Sequence, residues 1–499
     1  MADSKERLAS SLLELKKYQE HNNTGVVRGS STLGRTHLQR LVENGWLEPV
    51  MKGWYIPSSP EDVGTTSVWY ANYWNFIVEY CNSRYGDDWS LTAEESLTIH
   101  SGNMVVPTQI VIRSTKATNN VVELKHGHSL LEISTSPASE VAFDPIYGIR
   151  LYGIAEALMF SSPNYFKSSP VNARANLASL ENSAQIIRLA SVNGNSSRVG
   201  RIIGALKNIG RDNIADEVLK FMQRLGYDIR VEDPFDNIVK VSASQSPYVS
   251  RIRLLWEKMR GQILSMNLNL SRIDLKDKDS VLRSMETNYV KDAYHSLSIE
   301  GYRVTESLIE RVRSGAWNPD AEDTDRRNAL AARGYYQAFM RLQKSMATCL
   351  EGDKFDLESE LNEWHYELFD PCVQAGIISP ADLIGYRTMQ VYIKGSKHTP
   401  LPVNAVNSSI GALCEMIEEE KDGFVKAVLG HFFFVYIHPY MDGNGRTARF
   451  LMNMLLCSSG YSWIVVPVER RNEYMQSLEK ASVEEDIREF TKFIFGLLG

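Results

Sequence analysis

Residues 438–449 read His-Pro-Tyr-Met-Asp-Gly-Asn-Gly-Arg-Thr-Ala-Arg, and this stretch decides how the C-terminal half of the chain folds. It separates two apolar segments, VKAVLGHFFFVYI and RFLMNMLLCSS, which have the length and composition of buried helices. Pro439 ends the first helix, because a proline has no backbone N–H to continue the hydrogen-bond ladder. The pattern therefore predicts two helices joined by a short loop that contains two glycines.

The residue types of this loop suit a phosphate chain. Gly443 and Gly445 permit positive φ angles and a close approach of the backbone to an anion, and the loop opens onto the N-terminus of the second helix. Arg446 and Arg449 are three residues apart, so both guanidinium groups lie on one helix face, where they can hold phosphates. The loop is therefore predicted to hold a phosphate chain.

An acid and a base complete the set. Asp442 offers a hard oxygen ligand for Mg²⁺. His438 can accept a proton near neutral pH, as a general base that activates a hydroxyl group must. Phosphate binding, charge neutralisation and proton transfer are thus concentrated in one short stretch of sequence.

This stretch resembles the motif of the Fic family, H-P-F-x-[D/E]-G-N-G-R-x-x-R, with Tyr440 in place of the usual Phe. The resemblance implies an all-α Fic fold over 251–499 and the activity of a protein adenylyltransferase, which transfers AMP from ATP to a Ser, Thr or Tyr hydroxyl of a target protein or of the chain itself. It also implies that Asn444 and the loop amides contact the α-phosphate, while Arg446 and Arg449 bind the β- and γ-phosphates.

A related subgroup of the family phosphorylates its targets and has Lys at the position of Gly445, so the glycine here favours nucleotidyl transfer over phosphorylation. Two alternatives to adenylyl transfer stay open. The site could catalyse the reverse reaction as a deAMPylase, or it could serve as the nucleotide sensor of a DNA-binding autoregulator.

A second motif lies upstream, in HSLSIEGYRVT. Ser296 and Glu300 fit the [S/T]-x-x-x-E-[G/N] pattern of the inhibitory helix in Fic proteins of class II, which places that helix around 290–301. The resemblance implies that Glu300 pairs with Arg449 and takes the place of the γ-phosphate, since a carboxylate and a phosphate compete for one guanidinium group. An alternative role for Glu300 is to position water for AMP removal.

The segment RTMQVYIKGSKHTPLP, residues 387–402, alternates apolar and polar residues around Gly395 and predicts a β-hairpin. By resemblance it is the flap that binds the target as an added strand, with Thr388, Gln390 and Tyr392 on one face. An ordinary structural hairpin is the alternative. His365 and His431 are interpreted as packing residues.

The N-terminal half predicts a different architecture, so the chain as a whole is expected to be a multidomain α+β protein. Two helices at 6–18 and 33–46, followed by the hairpin LEPVMKGWYIP, outline a winged helix-turn-helix at 1–66. A mixed α/β module follows at 67–230. The proline- and serine-containing stretch 231–250 reads as a linker.

These first 230 residues resemble the abortive-infection type IV antitoxin family (AbiEi-like), through LEPVMKGWYIP, WSLTAEESLTIHSG and GIRLYGIAEAL. That resemblance implies DNA binding. Arg28, Arg35 and Arg40 stand without an acidic neighbour in sequence and are candidate phosphate contacts, as are the basic residues of 183–211. The alternative is a module for protein docking or homodimer formation.

Composition limits the remaining choices. The net charge of -7 argues against coating nucleic acid or an anionic membrane through bulk charge. Five scattered cysteines without a C-x-x-C pair fit neither a disulfide framework nor a zinc ribbon, and favour a reducing cytoplasm. No secretory signal or membrane span is expected, because the most apolar stretch, HFFFVYIHPYM, is too short for a bilayer.

Overall fold

The computed structural model describes residues 4–29, 33–193, 195–241, 246–270, 278–316, 326–353 and 355–498. The chain divides into two compact units, the first comprising Met1–Arg251 with Tyr392–Thr399 and the second Ile252–Val391 with Pro400–Gly499. This division lies one residue from the predicted start of the Fic domain. The predicted domains 1–66 and 67–230 both lie in the first unit, and their separation stays a prediction.

Helices account for most of the described residues. In the first unit they are α1 Ser4–Asn22, α2 Arg35–Glu43, α3 Thr66–Tyr85, α4 Ala93–His100, α5 Ile154–Phe160, α6 Tyr165–Ser168, α7 Pro170–Ala178, α8 Ala184–Asn193, α9 Ser196–Asn208 and α10 Asp212–Arg224. The division between the units falls within α11 Pro247–Ser265. In the second unit follow α12 Lys278–Ile299, α13 Glu306–Arg313, α14 Arg326–Glu351, α15 Leu357–Gln374, α16 Val403–Glu419, α17 Gly423–Ile437, α18 Asn444–Ser458, α19 Arg471–Glu484 and α20 Arg488–Leu498.

All described strands lie in the first unit. They are β1 Val27–Arg28, β2 Leu47–Met51, β3 Trp54–Pro57, β4 Ser90–Leu91, β5 Gln109–Ser114, β6 Val121–Glu123, β7 Ser129–Ser134, β8 Val141–Phe143 and β9 Arg150–Tyr152. They form sheets with the orders β1-β3-β2, β4-β5-β7-β6 and β8-β9. Strands β5 and β7 are parallel, whereas the other pairs are antiparallel.

The elements predicted at the N-terminus are present in the structure. Helix α1 covers the predicted helix 6–18, helix α2 occupies the middle of 33–46, and β2 pairs with β3 through the turn at Gly53. Leu15, Leu38 and Leu41 are buried and pack α1 and α2 into one small core. The two helices and the strand pair are the elements that the sequence analysis predicted. Their assignment to a winged helix stays a prediction.

The described beginning of the stretch interpreted as a linker, residues 231–241, packs into the first unit instead. Phe235 is buried in its core, and the end of the stretch is the start of α11. Two glycines of α9 make this packing possible: a Cβ on Gly200 or Gly204 would lie 2.0 Å from a carbonyl oxygen of Arg230 or Glu232. Residues 242–245 lie outside the described part of the chain. The weak periodicity thus reflects irregular but packed backbone rather than a free connection.

The β-hairpin predicted at 387–402 is not formed, because no residue of this segment is in a strand. The chain does turn near Gly395, which has a φ of 77°. In place of a ladder, Gln390 Nε2 donates to Pro400 O at 2.8 Å, and Arg387 Nη2 donates to Leu401 O. Pro400 and Pro402 have no N–H to donate to an opposite strand, which explains why alternation alone did not produce a sheet.

The second unit surrounds the predicted loop with helices. Helices α17 and α18 pack against each other, and their buried faces include Phe433, Phe434 and Leu451. The described cysteines are all free. Among the described residues, no helix is both long enough and apolar enough to span a bilayer.

Candidate active site

The loop between α17 and α18 is bracketed by two residues with left-handed backbone. His438 ends α17 with a φ of 54°, and Gly443 precedes α18 with a φ of 84°. A left-handed residue at a helix end is common for glycine and rare for a bulky side chain. A Cβ on Gly443 would also lie 2.8 Å from Cε2 of Phe369. Glycine is therefore required at 443 on two grounds.

Asn444 closes the loop from within. Its Oδ1 accepts a hydrogen bond from Tyr440 N at 2.9 Å, and its Nδ2 donates to Tyr440 O at 2.8 Å. The side chain is buried at 2% exposure. Its amide group therefore holds the loop, and the expected α-phosphate contact of Asn444 stays a prediction. The N-terminal amides of α18 can also meet an anion, since helix geometry gives them no intrahelical acceptor.

Helix α15 supports the loop from one side. His365 Nε2 donates to Asp442 O at 3.0 Å, and its ring stacks on Tyr440 with centroids 3.7 Å apart. Asn362 Oδ1 accepts from the Tyr440 hydroxyl at 2.8 Å. Burial lowers the pKa of His365 to about 4, so its ring is neutral. His365 is a packing residue, as predicted, and it packs against the predicted catalytic loop.

His438 is held in one orientation. Its Nδ1 lies 3.2 Å from Val435 O, and a proton on Nδ1 donated to that carbonyl leaves Nε2 with a free lone pair. Arg387 Nε donates to His438 O at 2.8 Å. Burial, together with the charge of Arg387, lowers the pKa of His438 to about 4. The imidazole is therefore neutral at physiological pH, the state that a general base requires.

Arg446 is buried with part of its hydrogen-bonding capacity unused. It is 1% exposed, and its Nε and Nη2 have no hydrogen-bond partner among the described residues. Its guanidinium group lies over the rings of Phe369 and Tyr302, at 4.9 and 5.4 Å from their centroids. Its Nη2 is 3.6 Å from Asp442 Oδ1. A buried cation with unmet donors is suited to an anionic ligand.

Arg449 lies at the centre of a second set of contacts. Its Nε donates to Ser296 Oγ at 2.9 Å, and its Nη2 donates to Ser296 O at 3.1 Å and to Glu300 Oε1 at 2.8 Å. Its Nη1 has no partner among the described residues. The structure thus brings the upstream motif and the loop motif together on one buried guanidinium group.

The absence of a side chain at Gly445 leaves room for the carboxylate of Glu300 beside Arg449. A Cβ at position 445 would lie 2.3 Å from Glu300 Oε1. Any side chain here would therefore displace Glu300 from Arg449. The glycine has a structural role in the contact as well as the backbone freedom expected of a phosphate loop.

Asp442 fits a role as the Mg²⁺ ligand. Its carboxylate is 65% exposed, and its Oδ1 accepts from Gly443 N at 2.6 Å. Within the described ranges, no cluster of three or more His, Cys, Asp or Glu side chains could hold a metal by itself. A single exposed carboxylate is the donor set that Mg²⁺ uses when substrate phosphates and waters supply its other ligands.

The three predicted flap residues have separate environments. Thr388 is exposed, and the Gln390 amide is occupied by Pro400 O. Tyr392 belongs to the first unit, where its hydroxyl lies 3.1 Å from that of Tyr147. His431 is buried and its Nε2 lies 2.8 Å from Tyr474 OH, as expected of a packing residue.

The candidate DNA contacts are only partly available. Arg35 and Arg28 are exposed, with Arg28 5.7 Å from the centroid of the Trp54 ring. Arg40 donates to Ser11 Oγ at 2.7 Å and so links α1 to α2. The basic residues of 183–211 look unopposed in the sequence, but several find partners in the structure: Arg188 pairs with Glu140, Lys207 pairs with Asp216, and Arg201 donates to Ser161 O.

Arg387 and Asn362 are the site residues that the sequence analysis missed. Each acts through backbone or side-chain contacts with residues more than fifty positions away, His438 and Tyr440 respectively. Asn362 lies in no motif of the sequence analysis, and Arg387 begins the predicted flap but was given no role there. A buried arginine that donates three bonds to carbonyl groups has no signature in sequence, because its acceptors are defined only by the fold.

Comparison with known proteins gives the class of this site. Residues 354–456 match the model of the Fic/DOC family. The chain is 27% identical over 228 residues to protein adenylyltransferase fic-1 of Caenorhabditis elegans, covering 44% of this chain and 42% of that protein. It is 30% identical over 216 residues to protein adenylyltransferase Fic of Drosophila grimshawi, covering 42% of each. The chain spans less than half the length of these curated relatives.

Among solved structures, Fic-1 from C. elegans is similar, with 22% identity, a TM-score of 0.37, and coverage of 66% of this chain and 95% of that one. The family matches confirm that the C-terminal half of the chain contains a Fic domain. The resemblance of the N-terminal half to AbiEi-like antitoxins stays a prediction.

Proposed function

We propose that this protein is a protein adenylyltransferase that transfers AMP from ATP to a hydroxyl group of a target protein. The observation that carries the proposal is the neutral, oriented imidazole of His438 beside the N-terminus of α18 and the buried guanidinium group of Arg446. This arrangement combines a base with a cradle for phosphates. The adenylyltransferase names of the relatives support the same chemistry.

The proposed reaction uses the chain's residues as follows. The amides at the start of α18, with Arg446 and Arg449, bind the phosphates of ATP. His438 Nε2 accepts the proton of the target hydroxyl, whose oxygen attacks the α-phosphorus. A bond forms between these two atoms, the bond from the α-phosphorus to the bridging oxygen breaks, and pyrophosphate leaves. Mg²⁺ held at Asp442 would supply neutralisation of phosphate charge.

Glu300 is proposed to inhibit this reaction. Its carboxylate occupies Arg449 in the structure, so a γ-phosphate would have to displace it to bind the same guanidinium group. ATP bound without that contact would have its α-phosphorus out of line with the attacking hydroxyl. Activation then requires movement of Glu300 away from Arg449.

The test is transfer of label from ATP carrying a radioactive α-phosphate, with Mg²⁺, to the protein itself or to proteins of a cell extract. The proposal expects strong labelling by Glu300→Gly, weak labelling by the wild type, and background labelling by Glu300→Gly/His438→Ala. Glu306→Gly removes an exposed carboxylate in the first turn of α13 and is the matched control, expected to behave as the wild type. Labelling that is independent of His438 would contradict the proposal.

The same experiment separates the alternatives. Release of AMP from a protein that has already been modified, with no forward transfer, would identify a deAMPylase with Glu300 positioning the water. Binding of ATP without turnover in any variant would favour the nucleotide sensor.

For the N-terminal module, we propose DNA binding through the exposed side chains of Arg28 and Arg35. Phosphate contacts by arginine give an affinity that falls as salt concentration rises. In a gel-shift assay with DNA from the chain's own promoter region, Arg28→Ala/Arg35→Ala should weaken binding and reduce its salt dependence. Equal binding by the double variant and the wild type would contradict this role and favour a docking or dimerisation module.

A further inference from the structure

A cavity of about 300 Å³ lies beside the catalytic loop, within the second unit. One part of its wall is formed by the loop residues Tyr440, Met441 and Asp442. The other part includes Ile384, Thr388 and Met389, from the segment that follows α15. The cavity is therefore adjacent to the position that the proposed function gives to the target hydroxyl.

Three apolar side chains around the cavity are largely exposed. Ile384 is 78% exposed, Met389 is 61% exposed and Met441 is 48% exposed. Single exposed apolar side chains are ordinary, but several around one cavity indicate a surface that another molecule covers. An apolar group bound in the cavity would remove these three side chains from contact with water.

The lining of the cavity separates it from the phosphate-binding groups. His438, Arg446 and Arg449 are not among the residues that form its wall. The two sites are nevertheless linked rigidly, because buried Arg387 donates to both His438 O, at 2.8 Å, and Met389 O, at 3.1 Å. A group bound in the cavity would thus be held at a fixed position relative to the base.

We propose that this cavity binds a large apolar side chain of the target protein, next to the hydroxyl that receives AMP. This inference rests on the proposed function and adds to it a class of target sequence: Leu, Met or Phe near the modified Ser, Thr or Tyr. The cavity is large enough for any of these side chains, and the absence of His438, Arg446 and Arg449 from its wall argues against the nucleotide as its occupant. Asp382 in the wall disfavours an acidic side chain at the same position.

The experiment uses the full-length Glu300→Gly protein, ATP labelled at the α-phosphate, and synthetic peptides with a single hydroxyl residue. Each flanking position is varied in turn between Ala, Leu, Phe, Lys and Glu. At one flanking position, Leu or Phe should raise kcat/KM at least about tenfold over Ala, because burial of such a side chain contributes that much to binding. Glu at that position should give the lowest value.

Ile384→Asp should abolish the preference for Leu or Phe and leave the KM for ATP unchanged. Because Ile384 is 78% exposed, the substitution should not affect folding. The matched control is Ile377→Asp, which changes an apolar side chain that is 60% exposed but does not line the cavity, and it should keep the preference.

Four results would overturn the inference. Labelling without any flanking preference would mean that the cavity does not read the target, and so would a preference that survives Ile384→Asp. A raised KM for ATP in Ile384→Asp, with the preference intact, would assign the cavity to the nucleotide. Absence of peptide labelling and of AMP release in every variant would instead contradict the proposed function, and this inference with it.

Discussion

Glu300 Oε1 lies 2.8 Å from Arg449 Nη2, although the two residues are 149 positions apart in the sequence. Ser296, one helical turn before Glu300, contacts the same guanidinium group through both its hydroxyl and its carbonyl oxygen. Helix α12 therefore presents its C-terminal turn, and the residue after it, to one buried arginine of α18. Under the proposed function, the position of α12 would control phosphate binding at Arg449.

Ser296→Ala should partly relieve the proposed inhibition. The change removes the hydroxyl that accepts from Arg449 Nε, a hydrogen bond to a charged group that contributes about 1.5–3 kcal/mol. The carbonyl and Glu300 contacts remain, so self-labelling should rise above the wild type and stay below Glu300→Gly. Ser298→Ala, two residues further along the same helix, is the control and should match the wild type. An inactive Ser296→Ala protein would indicate that the hydroxyl supports ATP binding instead.

The pH dependence of transfer should lack a histidine limb near neutrality. Burial lowers the pKa of His438 to about 4, and the charge of Glu300 opposes that effect, so removing Glu300 lowers the pKa further. In Glu300→Gly, kcat/KM should thus vary less than about twofold between about pH 5.5 and pH 8. A base with an ordinary histidine pKa would lose half its activity near pH 6.5. A decrease in kcat/KM as the pH is lowered from 7 to 6 would contradict this expectation.

Gly443→Ala should abolish activity and destabilise the protein. The residue has a φ of 84°, and an added Cβ would lie 2.8 Å from Phe369 Cε2. The backbone strain costs about 1–2 kcal/mol, and the clash adds to it. Gly376→Ala is the matched control, because Gly376 has a φ of 68° but no atom close to the added Cβ. Thermal unfolding should show a larger loss for Gly443→Ala, and equal losses would show that strain alone matters.

Asp292→Asn should change the pH dependence of stability. Asp292 is buried in α12 and accepts from Tyr335 OH at 2.7 Å, and burial raises the pKa of its carboxyl group to about 6. Between the ordinary value of 3.8 and about 6 the folded state binds more protons than the unfolded state, so stability falls as pH rises through that window. Asparagine can still accept the hydrogen bond from Tyr335 and has no such titration.

The two proteins should therefore differ most in how their unfolding free energies change between pH 4 and pH 7. As the pH rises from 4 to 7, the unfolding free energy of the wild type should fall by up to about 3 kcal/mol more than that of Asp292→Asn. Denaturant unfolding at the two pH values provides the measurement. An identical pH dependence would mean that the carboxyl group ionises normally in the folded protein.

Much of the loop could be predicted from local sequence. Pro439, Gly443 and the apolar runs on either side specify two helices and a turn, because proline and glycine act through backbone geometry that does not depend on the rest of the fold. The pairing of Glu300 with Arg449 could be predicted only through the resemblance of two motifs to one family. Spacing alone does not bring together residues on different helices.

Other predictions failed where distant backbone decided the outcome. The alternation in 387–402 indicated a hairpin, but Pro400 and Pro402 and the bonds of Arg387 and Gln390 hold the segment without a ladder. Residues 231–241 of the linker-like stretch are packed, because Gly200 and Gly204 let a carbonyl group approach their helix closely. In both cases the deciding contacts join residues that are remote in sequence or involve main-chain atoms, which carry no sequence signal.

Local sequence was enough to predict which groups the site offers: an imidazole that can accept a proton, guanidinium groups that can bind phosphate, and a backbone that must turn. The surroundings of those groups could be learned only from the three-dimensional fold. Burial sets the protonation state of His438, Tyr440 occupies the amide of Asn444, and Arg387 fixes the distance between base and cavity. Side-chain identity is local information, whereas desolvation and hydrogen-bond partners depend on which distant segments the fold brings into contact.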